Sequence, residues 1–137
     1  MSTTPASLDI LGVDNVLVAV GDFEVALDFY AGTLGLPLKF QLPHLGVACF
    51  RLGGEEPGLL VRAGAIHPRE PRETPRVWLE VRDARAAAAE LRARGLEPLA
   101  EPIEVGTGWT VEVADPWGNV LGLTDYVKDP SRARSPD

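Results

Sequence analysis

The chain has 137 residues, 45% apolar and 24% charged, which suits one globular domain and excludes a collagen, a coiled coil or disorder along the whole length. A net charge of −7 argues against nucleic acid as a partner, because phosphate binding is driven by positive charge that the chain as a whole lacks. One cysteine, Cys49, cannot form an internal disulfide. No apolar run nears the roughly 18 residues of a membrane span and no charged and then apolar leader opens the sequence, so a cytoplasmic location without a membrane partner is expected.

Residues Met1 to Ser7 are small and polar, and the end from about 127 to 137 is Pro, Ser and charge without periodicity; both ends are expected to fray. Between them, Asn15 to Val20 is a β-branched run of strand length. Asp22 follows as a candidate N-cap, and Phe23, Ala26, Leu27, Tyr30 and Leu34 share one face of a helix that Gly35 stops. Strands are predicted at Pro37 to Leu42, Gly46 to Leu52 and Gly58 to Arg62, with Pro43, Gly53-Gly54 and Pro57 as the turns between them.

The same order then repeats. Arg76 to Val81 reads as a strand and Asp83 as a cap, and Ala84, Ala87, Ala88 and Leu91 form an apolar stripe closed by Gly95. Strands are predicted at Glu97 to Val105, Trp109 to Val113 and Asn119 to Thr124. Asp22 to Asp83 and Asn15 to Arg76 are both 61 residues apart. Each half is therefore βαβββ: module one about 10–62, a Pro- and Arg-rich hinge over 63–75, and module two about 76–126.

Alternation sorts the strand faces. Val16, Val18 and Val20, and likewise Val77, Leu79 and Val81, are expected beneath a helix. The opposite face receives Asn15, Leu17 and Ala19 in the first module, and Arg76, Trp78, Glu80, Glu112 and Gly122 in the second. Trp78 beside Glu80 suits stacking on a flat or cationic ligand, with packing at a dimer contact as the other reading. Glu80 and Glu112, expected on adjacent strands, read as cation-binding or solvated groups rather than an acid-base pair. Trp109 is expected to face the core and Trp117 to sit at a turn tip. Cys49, in an apolar strand, reads as inert packing, and His44 and His67 as surface or turn residues beside Pro43 and Pro68.

The run Asn15-Val16-Leu17-Val18-Ala19-Val20-Gly21-Asp22, the pair Phe29-Tyr30 before Leu34-Gly35-Leu36, and the turn Asp115-Pro116-Trp117-Gly118-Asn119 resemble the vicinal oxygen chelate superfamily. That group contains glyoxalase I, extradiol dioxygenases, fosfomycin-resistance enzymes and bleomycin-binding proteins. The resemblance spans residues 10 to 126. It implies an α+β fold in which two βαβββ modules form a curved, open, eight-stranded sheet with a concave ligand groove. The family's metal-ligand positions carry over to Asn15, Arg76, Gly122 and a residue near Leu60, none of them a competent donor to a transition metal. The expectation is a metal-free protein, with no cofactor, that binds an aromatic or cationic small molecule through Asn15, Arg76, Trp78, Glu80, Glu112 and Gly122. Sequestration of an antibiotic or metabolite is the function so implied, and a homodimer the assembly. The alternative is a metal-dependent lyase, isomerase or dioxygenase of the same family.

Overall fold

A computed structural model describes residues 9, 11, 13–65 and 76–134. β1 (Asn15–Val20) leads to α1 (Phe23–Leu27), which begins where the Asp22 carboxylate accepts the Val25 N–H at 3.0 Å. The helix then widens, and Asp28–Thr33 winds as a π-helix in which the Leu34 N–H reaches the Phe29 carbonyl at 2.9 Å. The wider turn brings two consecutive aromatics inward, Phe29 at 8% and Tyr30 at 0% exposure. Regular α spacing had placed Tyr30 but not Phe29 on the inner face. Gly35, at φ +72°, ends the helix in a conformation that favours glycine.

β2 (Leu38–Leu42), β3 (Val47–Leu52) and β4 (Glu55–Ala63) complete module one. Module two repeats the plan with β5 (Val77–Glu80), α2 (Ala84–Ala93), β6 (Ile103–Val105), β7 (Gly108–Ala114) and β8 (Val120–Thr124). The strand orders are β1-β4-β3-β2 and β5-β8-β7-β6, with β1 and β5 each parallel to its neighbour and the other pairs antiparallel. This is the expected α+β architecture, two βαβββ modules with open sheets that together supply the eight strands.

Several elements differ from expectation. β6 covers only the last part of 97–105, because Pro98 and Pro102 have no N–H to give a ladder. Pro57, expected in a turn, lies within β4, whose pairing to β3 slips between Phe50 and Leu52, the kind of irregularity that tolerates proline. Trp117 is not at an exposed tip but only 2% exposed. The C-terminal segment, expected to fray, forms a 3₁₀ turn at Pro130–Arg132 and pairs Lys128 with Glu104. Most of the predicted hinge, with His67, lies outside the described residues. No helix among those residues is long and apolar enough to cross a membrane.

One core runs through both modules. Val20, Phe50 and Leu59 from the first meet Ala88, Val113 and Leu121 from the second in a single buried cluster. A polar clamp ties the modules beside it. The buried Asp115 carboxylate accepts the Trp117 and Asn119 backbone N–H groups, the Asn119 amide at 2.7 Å and the Tyr30 hydroxyl at 2.8 Å. The same Asn119 amide donates to the Ala19 carbonyl at 2.8 Å, which joins the β7–β8 turn to β1.

Candidate functional site

On module two the side chains of β5, β8 and β7 opposite the helix form a row. Trp78 pairs in register with Gly122, and Gly122 with Glu112. The indole of Trp78 lies flat across this row, so close to Gly122 that a Cβ there would collide with Cδ1 and Nε1. Its Nε1–H donates to Glu112 Oε2 at 3.0 Å, and Arg76 Nη1 donates to the same carboxylate at 2.8 and 2.9 Å. The indole is therefore fixed along one edge and supported from below, while Trp78 remains 52% exposed. The result is a rigid aromatic plate facing outward, with an arginine–carboxylate pair at its side.

The alternation argument thus brings Arg76, Trp78, Glu112 and Gly122 together as expected. It misplaced the two carboxylates relative to each other: β8 lies between β5 and β7, so Glu80 and Glu112 are not on adjacent strands. Glu80 instead accepts the Arg134 backbone N–H at 2.8 Å and its guanidinium at 2.7 Å. The backbone hydrogen bond foremost holds the Glu80 carboxyl below its ordinary range; burial opposes it, and the bond and charge of the guanidinium add to the lowering. Both acids of this face are already paired with arginine. Nothing in the sequence marked Arg134, which stands in an aperiodic tail.

Asn15 belongs to the equivalent place in module one. Leu17 pairs with Leu60 as Trp78 does with Gly122, which makes Leu60 the counterpart of Gly122 and Cys49, opposite Leu60, the counterpart of Glu112. The Asn15 Oδ1 accepts the Gly58 N–H at 3.2 Å and the buried Cys49 Sγ at 3.6 Å. In both modules, then, the side chain at the start of the first strand reaches across to the third. Module two does it with a charged pair, module one with an amide and a thiol.

These residues do not fit a metal. Arg76 has no lone pair to offer, Leu60 and Gly122 have no donor atom, and the Asn15 oxygen is engaged by Gly58 and Cys49. The Trp78 indole occupies the space a longer side chain at position 122 would need. Among the described residues no group of three or more His, Cys, Asp or Glu converges.

A family model described as the glyoxalase/bleomycin resistance protein/dioxygenase superfamily matches residues 12–123. A glyoxalase/bleomycin resistance protein/dioxygenase from Nocardioides superposes with a TM-score of 0.70 at 20% identity, covering 94% of this chain and 92% of that one. A member of the same superfamily from Sphaerobacter thermophilus is 28% identical, with a TM-score of 0.66 over 86% of this chain and 99% of that one. A putative glyoxalase family protein from Bacillus anthracis gives 0.70 at 20% identity, over 88% and 99% of the two chains. No curated protein matches the chain.

Proposed function

The chain belongs to the glyoxalase/bleomycin resistance protein/dioxygenase superfamily, and within it we propose a metal-free binding protein that sequesters a small, flat aromatic molecule, an antibiotic or a metabolite, against Trp78. The observation that carries this reading is the fixed, half-exposed indole lying over Gly122, held by Glu112 where a metal-using relative would need a ligand. A plate already locked in place gives up little side-chain freedom on stacking, so more of the contact energy appears as affinity. Glu112 and Glu80 are each neutralised by an arginine, which removes the free acid that would favour a cation and leaves aromatic shape as the feature to be read.

The test is a thermal-stabilisation screen of aromatic antibiotics and metabolites, followed by titration on the parent and on Trp78→Ala. A true ligand raises the stability of the parent as its concentration exceeds Kd. Trp78→Ala weakens it by about 1 to 3 kcal/mol while the melting temperature of the free protein moves little, since Trp78 is half outside. A strongly destabilised variant that still binds normally would show that the indole serves the core.

The same apparatus tests the metal-dependent alternative. Zn²⁺, Mn²⁺, Ni²⁺ or Fe²⁺ added to chelator-treated protein is expected to leave the melting temperature unchanged, because no donor set is assembled to bind it. A saturable rise at one metal per chain would instead favour a lyase, isomerase or dioxygenase.

A further inference from the structure

A concavity of about 530 Å³ lies between α2 and the β3–β4 turn of module one, lined along β5 by Val77, Leu79 and Val81 of the helix-covered face and bordered also by Trp78 and Glu80 of the other. Val113, Leu121 and Leu123 of the sheet, Ala87 of α2 and Gly54 of the turn all line it. The cavity explains an oddity of burial. Val77, Leu79 and Val81 are on the face that alternation assigns to the core, yet each is only partly buried, because each borders this space.

Its origin is the unequal filling of two related junctions. Val16 pairs with Leu59 and Val77 with Leu121, so the turn at Gly53 stands where module two has Asp115. At the first junction a helix of module one presents Tyr30 to the turn of module two, where Asp115 bonds it and Trp117 is buried. At the second, the helical position 61 residues after Tyr30 is Leu91, and the turn it meets is Gly53-Gly54. Smaller side chains on both sides leave the space open. At its mouth Glu90 pairs with Arg94 at 3.1 Å and Glu80 with Arg134 at 2.7 Å.

We propose that this cavity, which the aromatic plate borders only through Trp78 and Glu80 of β5, is a second binding site, for an uncharged small molecule with an aliphatic or alicyclic body. The volume lies within the range of small-molecule sites, roughly 300 to 1,000 Å³. Apart from Trp78 and the charged groups Glu80, Glu90, Arg94 and Arg134, the lining side chains are apolar and offer little to replace the hydrogen bonds a polar ligand would lose on leaving water. The charged groups at the mouth neutralise one another in pairs, so they select neither an anion nor a cation.

The probe is 1-adamantanol, neutral and without an aromatic ring, titrated calorimetrically. Saturable binding at one per chain is expected. Ala87→Phe, which fills the cavity from the helix, weakens it at least tenfold, as does Gly54→Leu, whose added Cβ meets nothing within 4 Å and which fills it from the turn. Arg76→Gln, which releases the plate's anchor on the other face, leaves adamantanol within twofold of the parent while weakening an aromatic ligand. No saturable binding to the parent overturns the proposal, and so does parental affinity in either folded cavity variant. Should Ala87→Phe not fold, Gly54→Leu alone decides. Loss of adamantanol in Arg76→Gln would also overturn it, by assigning both probes to the plate, whereas aromatic binding that survives Trp78→Ala counts against the plate alone.

Discussion

At the scale of single residues, the Tyr30–Asp115 contact joins a helix of one module to a turn of the other through one buried hydrogen bond of 2.8 Å. Burial first, then the negative charge of Asp115 and the bond itself, hold the Tyr30 phenol protonated far above its usual range. It remains a donor at every pH the protein meets. Tyr30→Phe keeps the ring and its edge-on packing against Phe29 but leaves the buried carboxylate one donor short. A loss of about 1 to 3 kcal/mol is expected, read from the midpoint of urea unfolding at unchanged slope. A change within experimental error would mean that the two amides and the Asn119 side chain satisfy Asp115 by themselves. The Asp-Pro-x-Gly-Asn segment was legible in the sequence as a turn, and Gly118 takes φ +84° there. Its second use, clamping two modules, was not legible, because the partners Tyr30 and Ala19 lie far away in the chain and nothing local marks them.

At the scale of elements, the segment after β8 docks back on β5 through Arg134 and Glu80. Since docking lowers the Glu80 carboxyl from an ordinary 4.5, it favours the ionised form and is fully present above that value. As pH falls through the lowered folded value, Glu80 takes up a proton and the docking weakens. The Arg134 backbone amide resonance should therefore shift in a single titration below pH 4.5, and Glu80→Gln should abolish that titration. A pH-independent Arg134 in the parent would show that the segment is held by Lys128 and its contacts instead. Elements with strong local signals were readable in advance: both helix starts, at Asp22 and Asp83, cap as their spacing suggests, at 3.0 and 2.9 Å. The π-helical turn was not readable, since a five-residue backbone bond leaves no mark on a pattern of apolar residues that α-helix would also fit. Neither was Pro57 within β4, where tertiary pairing overrides a residue that usually signals a turn.

At the scale of the whole molecule, much of the plate was legible because alternation along β5, β7 and β8 decides which side chains share a face, and Trp78, Gly122 and Glu112 obey it. The helix-side cavity was not, because it depends on how Leu91 and Gly53-Gly54 meet across a junction between modules. We propose that the same faces also set an assembly, a homodimer. β2 is exposed at every residue and ends its sheet, so its backbone and its apolar side chains are both uncovered. Phe40, in register with Cys49, is 40% exposed on the face that carries Leu17, itself 54% exposed, and Leu45 nearby is 59% exposed. A long apolar edge of this kind invites another strand or sheet, and natural proteins usually cover or charge it. Covering it with a second copy of the chain also meets the preference of oligomers for closed twofold symmetry. Light scattering at about 50 µM, where a standard-sized interface would be saturated, should give the mass of a dimer. Phe40→Glu, which puts a charge on that face, should shift the mass toward the monomer, while aromatic binding at Trp78 persists if each plate is complete within its own chain. A parent that is monomeric at this concentration would refute the dimer. A dimer untouched by Phe40→Glu would move the contact elsewhere, and the simultaneous loss of dimer and ligand would place part of the aromatic site across the twofold axis.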